Sequence, residues 1–280
     1  MDLLVADFTQ HLRQALQIAA EFNVRKGKPC KNVLICGMGG SGIGGTILAQ
    51  MLADHCAVPI QSSKDYSIPA FVDEDTLVIA CSYSGNTEET LEAVEQAVRQ
   101  GAQFACISSG GKLSDMALEN EWPLITVPGG LPPRAAFGLT IVQLFRLAEA
   151  FQLTNGAWAQ QFNAAITYLD AHEEQIKNAA HTLAESIQHK MPVIYTASWL
   201  EGVATRWKQQ IAENSKGLSW FNTYPEMNHN ELVGWPSGSN QLAVIFLTSD
   251  FDHERVAKRM ELTETVYRKK TPHIHQFNAV

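Results

Sequence analysis

Short apolar runs alternate with amphipathic stretches along much of the chain. After an amphipathic opening helix over residues 3–22, apolar runs predict strands that are separated by segments of helical spacing. The predicted strands are 32–36, 58–61, 76–81, 103–107 and 124–127. The predicted helices between them are 44–54, 87–99 and 113–119. Regular strand–helix alternation is typical of a parallel sheet with right-handed crossovers and helices on both faces.

A second alternation begins near residue 190. It follows a turn-rich break at 128–133 and helical patterns over 135–151 and 158–187. Its predicted elements are strands 192–196, 218–222, 242–248 and 273–277 and helices 204–213 and 254–270. The sequence therefore predicts an α/β protein of two doubly wound, flavodoxin-like parallel-sheet domains, 1–152 and 190–280, which helices at 153–189 join. Because no helical pattern follows the last strand, we expect that the second domain lacks its final helices or that a partner covers its edge.

Charge and cysteine usage exclude several classes of function. The 280 residues carry 21 Lys and Arg against 29 Asp and Glu, a net charge of -8, which disfavours binding to nucleic acid or to an anionic membrane. The five cysteines lack C-x-x-C spacing and are typical of core thiols in a reducing compartment, with a redox or metal role as the alternative. The amino terminus has no basic region before an apolar one, and no apolar run approaches membrane-spanning length. We expect a cytoplasmic protein.

Two glycine- and hydroxyl-rich turns, 37–45 and 82–90, each follow a predicted strand and open a predicted helix. Glycines let backbone N–H groups approach an anion, and the helix dipole favours negative charge there. The hydroxyls of Ser41, Ser82, Ser84 and Thr87 add uncharged donors, so the pair of turns predicts a phosphate pocket.

Two other interpretations of these turns stay open. The first turn also fits G-x-G-x-x-G, which would indicate a dinucleotide site, but the acid expected about twenty residues later is missing, since Asp65 follows the end of the second strand. The hydroxyls of the second turn, Thr87 and Thr90 among them, could simply cap a helix.

At these turns the chain resembles the sugar isomerase (SIS) domain family, whose Ser- and Thr-rich loops hold the phosphate of a phosphosugar. Three further motifs, at 129–138, 212–216 and 228–235, are similar to those of the bifunctional phosphoglucose/phosphomannose isomerases. The resemblance implies two SIS domains and interconversion of glucose 6-phosphate, and also mannose 6-phosphate, with fructose 6-phosphate. It implies no metal or organic cofactor, and a homodimer in which a histidine reaches the active site from the neighbouring subunit. The phosphate ligands that it implies are Gly40, Ser41, Ser82, Ser84 and Thr87.

Aldose–ketose isomerisation moves a proton between adjacent carbons through an enediolate, so it needs a carboxylate base, a cation and a group that opens the sugar ring. Glu213 is a candidate base because a carboxylate at the end of its predicted helix opposes the dipole. Arg134 follows two prolines, and His229 lies in a polar loop, where it could alternatively bind a metal with Glu231. The resemblance assigns proton transfer to Glu213, enediolate stabilisation to Arg134 and ring opening to His229.

A non-catalytic, phosphosugar-binding regulatory SIS module is the competing interpretation, and a nucleotide-dependent oxidoreductase is the third. The resemblance also implies a lysine in a helix beyond residue 280, which Lys269 and Lys270 do not match. We therefore expect ring opening by this chain to be weaker than enediol chemistry on an open sugar.

Overall fold

The computed structural model describes residues 1–23, 27–235 and 238–279. The chain divides into two compact units, Met1–Ala171 and His172–Val280. The division falls inside the segment 153–189 that the sequence predicted to link the domains.

The first unit is built on a five-stranded parallel sheet. Its strands are β1 (Asn32–Cys36), β2 (Ile60–Ser63), β3 (Thr76–Ser82), β4 (Gln103–Ser108) and β5 (Leu124–Thr126). The spatial order is β2-β1-β3-β4-β5, which is the flavodoxin-like order. Cys36, the last residue of β1, lies opposite Ser63 of β2 and Ala80 of β3, so these three strands end at a common edge.

Among the described residues of this unit, seven α-helices cover both faces of the sheet. They are α1 (Asp2–Ala6), α2 (Phe8–Glu21), α3 (Gly39–Leu52), α4 (Glu88–Arg99), α5 (Gly111–Glu119), α6 (Phe137–Ala150) and α7 (Ala157–Ala171). Strand β1 is buried on both faces of the sheet. Val33 and Ile35 belong to the buried cluster on one face, which includes residues of α2, α3 and α6. Leu34 belongs to the cluster on the other face, which includes residues of α4 and α5. Side chains alternate between faces along a strand, so a strand buried on both sides is apolar throughout.

The second unit repeats the plan on a four-stranded parallel sheet of order β7-β6-β8-β9. Its strands are β6 (Met191–Ala197), β7 (Trp220–Tyr224), β8 (Leu242–Ser249) and β9 (Ile274–Ala279), and its helices are α8 (Glu173–Ser186), α9 (Glu201–Gln210) and α10 (Glu254–Tyr267). Tyr195 of β6 packs with α10, whereas its neighbour Ile194 packs with α8 and α9. The predicted fold, two doubly wound parallel-sheet units, is confirmed.

Several predicted elements differ in their bounds from the structure. The helix predicted over 158–187 is interrupted at His172, between α7 and α8. Strand β2 begins at Ile60 rather than residue 58 because Pro59 has no N–H for the ladder and only its carbonyl is used, as the acceptor for Val33 N–H. The helix predicted to reach residue 213 is α-helical only to Gln210.

All five cysteines are free thiols. Cys36, Cys81 and Cys106 are buried in β1, β3 and β4, which confirms the prediction that they are core residues. Burial raises the pKa of the Cys36 and Cys106 thiols to about 12 and raises that of Cys81 as well. Within the described ranges, the helices are too short or too polar to cross a membrane.

Candidate active site

The two predicted phosphate turns meet where β1 and β3 lie side by side. The first follows β1, the second follows β3, and the strand order reverses between these strands, which is where open α/β sheets bind ligands. The backbone N–H of Tyr83, in the second turn, donates to Ser41 Oγ in the first at 3.3 Å. The structure thus brings together the two turns that the sequence predicted to act jointly.

The first turn is compact because the start of α3 packs directly on it. A Cβ on Gly42 would lie 2.2 Å from the carbonyl oxygen of Gly37, so only glycine permits this approach. Gly40 and Ser41 are the second and third residues of α3, and both are partly exposed. The first turn of a helix leaves N–H groups without intrahelical partners, and these can bind an anion.

Two hydroxyls of the second turn, those of Ser82 and Thr87, are hydrogen-bonded to each other. Ser82 is 1% exposed, and its Oγ lies 2.8 Å from Thr87 Oγ1. Thr87 occupies the N-cap position of α4, but its side chain makes no capping hydrogen bond, and Thr90 Oγ1 is buried with no hydrogen-bond partner among the described residues. Capping does not explain these threonines. Ser84 is exposed, and its Oγ accepts a hydrogen bond from Asn86 N–H at 3.3 Å.

Arg134 belongs to the same unit. It lies in a short 3-10 turn, Pro133–Ala135, which follows Pro132 and precedes α6. This turn packs against α3, the helix that carries Ser41. Arg134, which is partly exposed, therefore belongs to a segment held next to the first phosphate turn.

Glu213 lies in the second unit, in a π-helical turn over Ile211–Ser215 that continues α9. Lys216 ends the turn with a left-handed backbone, φ 57°, and its Nζ donates to the Glu213 carbonyl at 2.6 Å. Burial lowers the pKa of the Arg206 guanidinium on α9, and the negative charge of Glu213 acts in the opposite direction. Short π-helical turns within helices occur often at functional sites.

His229 ends a short 3-10 turn, Glu226–His229, and is exposed. Its neighbours are fixed: Met227 is fully buried, and Asn230 Oδ1 accepts a hydrogen bond from Glu231 N–H at 2.6 Å. The loop thus presents the imidazole at the surface from an anchored backbone.

The anchor for this loop is the carboxylate of Glu231. It accepts hydrogen bonds from Tyr195 OH at 2.5 Å, Trp220 Nε1 at 3.2 Å and Asn222 Nδ2 at 2.8 Å. Trp235 Nε1 donates to the Tyr195 hydroxyl at 3.1 Å, which directs the Tyr195 proton toward Glu231. Burial, followed by the nearby Tyr267 and Glu231, raises the pKa of Tyr195. Three donors satisfy this partly buried carboxylate, so its role is that of an acceptor that holds the loop in place.

The structure does not bring Glu213 and His229 close together within the second unit. Glu213 precedes β7, at the edge of the sheet where the strands begin, and His229 follows β7, at the edge where they end. A five-residue strand separates these edges by about 16 Å.

Within the part of the chain described, the second sheet has no pair of glycine- and hydroxyl-rich turns like the pair in the first sheet. The turns after β6 and β8 occupy the equivalent positions, and there Trp199 Nε1 donates to Asp252 Oδ1 at 2.8 Å. A carboxylate at this position disfavours an anion. The described residues also contain no group of three or more His, Cys, Asp or Glu side chains placed to hold a metal ion.

Comparisons with known proteins agree with this division into two units. Residues 28–126 match the SIS domain family, and residues 176–280 match the family described as the bacterial phospho-glucose isomerase C-terminal SIS domain. The fold matches the C-terminal domain of glucosamine-fructose-6-phosphate aminotransferase from Francisella tularensis with a TM-score of 0.71 at 17% identity, over 98% of this chain and 82% of that one. At that identity the match shows the fold alone.

Sequence relatives are more informative. A bifunctional phosphoglucose/phosphomannose isomerase from Caldicellulosiruptor bescii is 38% identical over 94% of this chain and 81% of its own length. Another, from Aquifex aeolicus, is 38% identical over 85% and 73%. A D-glucosamine-6-phosphate 4-epimerase from Sulfolobus acidocaldarius is 33% identical over 86% and 76%. On the first two matches, the chain belongs to the bifunctional phosphoglucose/phosphomannose isomerase family.

Proposed function

We propose that this protein interconverts glucose 6-phosphate, and also mannose 6-phosphate, with fructose 6-phosphate through a cis-enediolate. The observation that carries the proposal is the junction of two hydroxyl-lined glycine turns at the β1/β3 switch point. The 38% identity to named isomerases over 94% of the chain supports the substrate pair.

The phosphate of the substrate binds at the two turns. Amides at the start of α3 and the hydroxyls of Ser41, Ser84 and Thr87 supply the donors, while Ser82 holds Thr87 in place. Uncharged donors and helix dipoles fix the anion, so a chain with net charge -8 needs no broad basic surface.

Glu213 and Arg134 carry out the proton transfer. The Glu213 carboxylate removes the proton from C2 of the open aldose, the C1–O1 carbonyl becomes the enediolate oxygen, and Arg134 stabilises its negative charge. Return of the proton to C1, with transfer of the O2 proton to O1, yields the ketose. The net reaction moves two hydrogens and needs no external oxidant.

His229 acts before this step, at the ring of the sugar. Opening a cyclic hexose phosphate moves the proton of the anomeric hydroxyl to the ring oxygen, which an imidazole can relay at neutral pH. We infer that the histidine comes from a second copy of the chain in a homodimer, because Glu213 and His229 lie at opposite edges of one sheet. The free thiols suit a cytoplasmic location.

Glu213→Gln tests the proposal against wild-type protein in a coupled assay with glucose 6-phosphate and mannose 6-phosphate. We expect kcat to fall by about 10²–10⁴-fold, the usual contribution of a positioned base, while calorimetric binding of fructose 6-phosphate changes little. Glu201→Gln is the matched control, because Glu201 is an exposed acid at the other end of the helix that leads to Glu213. Retained turnover with lost binding would contradict the role of Glu213.

Nuclear magnetic resonance in D₂O separates the alternatives. Exchange of a C1 proton of fructose 6-phosphate, or of the C2 proton of glucose 6-phosphate, for deuterium supports the isomerase. Binding without exchange identifies a phosphosugar-binding regulatory module. Inversion at C4 of glucosamine 6-phosphate would instead place the chain with its epimerase relative.

A further inference from the structure

Tyr83 connects four of the loops at the carboxyl edge of the first sheet. Its N–H donates to Ser41 Oγ at 3.3 Å, and its carbonyl accepts from Ser109 N–H at 3.0 Å and Ser109 Oγ at 2.5 Å. Its phenol hydroxyl donates to the Pro128 carbonyl at 2.8 Å and accepts from Leu131 N–H at 3.1 Å. Tyr83 itself lies between Ser82 and Ser84 in the second phosphate turn.

The hydroxyl of Tyr83 bonds to both ends of the turn that leads to Arg134. Pro128 and Leu131 are the two ends of that turn, and only two residues, both proline, separate Leu131 from Arg134. Proline fixes φ near −65°, so this short connection has little freedom once Leu131 is held. Tyr83 is 7% exposed and belongs to the same buried cluster as Val127, just before the turn.

We propose that Tyr83 is a positioning residue that fixes Arg134 relative to the bound phosphate. The inference rests on the proposed function, in which the turns hold the phosphate and Arg134 stabilises the enediolate. A phosphate at one end of an open hexose and an enediolate at the other require a constant spacing between their binding groups. Tyr83 provides it because its backbone belongs to the phosphate turn and its hydroxyl holds the segment of Arg134. Displacement of a catalytic group by about 1 Å can cost on the order of 100-fold in rate.

Tyr83→Phe tests this role, because it keeps the buried ring and removes only the hydroxyl. We expect kcat for fructose 6-phosphate to fall by about 10- to 100-fold with KM changed much less. The inhibition constants of two compounds should also diverge. A five-carbon aldonic acid 5-phosphate, which mimics the enediolate charge, should bind more weakly, and a hexitol 6-phosphate, which has the phosphate and no second charge, should bind as before.

Thr76→Val is the matched control. Thr76 is fully buried at the opposite end of β3, and its hydroxyl also accepts from a backbone N–H, that of Asp73 at 3.0 Å, and donates to Asp73 Oδ1 at 3.1 Å. Loss of a buried hydroxyl there should lower the melting temperature and leave kcat and both inhibition constants unchanged.

A double-mutant cycle with Arg134→Gln decides whether Tyr83 acts through Arg134. If it does, Tyr83→Phe lowers kcat in the wild-type background and has little further effect in the Arg134→Gln background. The same fold-loss in both backgrounds, or an unchanged kcat in Tyr83→Phe alone, overturns the inference. Failure of the proposed function is a different result: wild-type protein would not exchange the C1 protons of fructose 6-phosphate for deuterium, and Arg134→Gln would change nothing.

Discussion

Gly85, in the second phosphate turn, is required by its surroundings as well as by its backbone. Its φ of +71° is in the left-handed region, and an added Cβ would lie 1.7 Å from the carbonyl oxygen of Gly110. Gly101 has a similar φ of +77°, but an added Cβ there would meet only Glu74 Cβ at 3.9 Å, an ordinary contact. A comparison of Gly85 with Gly101 therefore separates the cost of backbone strain from the cost of steric exclusion.

Gly85→Ala should therefore destabilise the protein more than Gly101→Ala. A left-handed alanine costs about 1–2 kcal/mol, which is the whole expected loss for Gly101→Ala in urea denaturation. Gly85→Ala must also displace the loop after β4, so we expect a larger loss and a higher KM for fructose 6-phosphate. Equal losses of unfolding free energy and an unchanged KM would show that the loop after β4 can move away from the added methyl group at little cost in free energy.

At the scale of single elements, the start of α4 is where capping and phosphate binding can be told apart. The Thr87 hydroxyl bonds to Ser82 rather than to the helix, so its removal should cost the helix little. A capping threonine would cost about 1 kcal/mol.

Thr87→Val is expected to raise the KM for fructose 6-phosphate about tenfold, the value of one hydrogen bond to a charged group. It should also lower the unfolding free energy by about 1 kcal/mol, because the buried Ser82 hydroxyl loses its partner. Thr87→Ser keeps the hydroxyl and should retain most of the affinity. A stability loss without a change in KM would instead show that Thr87 has a structural role only.

Elements whose bounds are set by residues adjacent in sequence were predictable. Strand β1 was predicted at its observed bounds because its apolar run is followed at once by the glycine turn. The switch from α- to π-helix around Glu213 was not predicted, because the sequence pattern over 204–213 is that of one continuous helix. The role of Glu231 was missed because its three donors come from β6 and β7, up to 36 positions away.

The stability of the whole molecule should decline in alkaline solution. Burial raises the pKa of Cys36, Cys106 and Tyr267 to about 12, and raises those of Tyr195 and Tyr224 too. Unfolded thiols and phenols release their protons near pH 8.5 and 10, so above about pH 9 the unfolded chain binds fewer protons than the folded one. Stability is then complete below the unfolded pKa values and is lost as pH rises toward 12.

Urea denaturation between about pH 8 and pH 10.5 measures this decline, which amounts to about 1.4 kcal/mol per pH unit for each titrating group. Cys106→Ala should be less stable at every pH, yet its decline should be shallower by about one proton. An identical slope in the variant would show that Cys106 titrates normally in the folded protein.

Assembly of the active site from two copies can be tested by mixing two inactive proteins. In a homodimer whose sites combine Glu213 of one copy with His229 of the other, a hybrid of Glu213→Gln and His229→Asn chains has one doubly altered site and one intact site. Random co-assembly makes about half of the dimers hybrids, so activity should approach about a quarter of the wild-type value. If both residues of a site came from one chain, every site of every dimer would carry one substitution and the mixture would stay inactive. Co-expression of the two variants from one plasmid ensures exchange, and a co-expressed pair of Glu213→Gln chains with distinct tags sets the background. Recovered activity would therefore show that the opposite edges of the second sheet serve different active sites, as the inferred homodimer predicts.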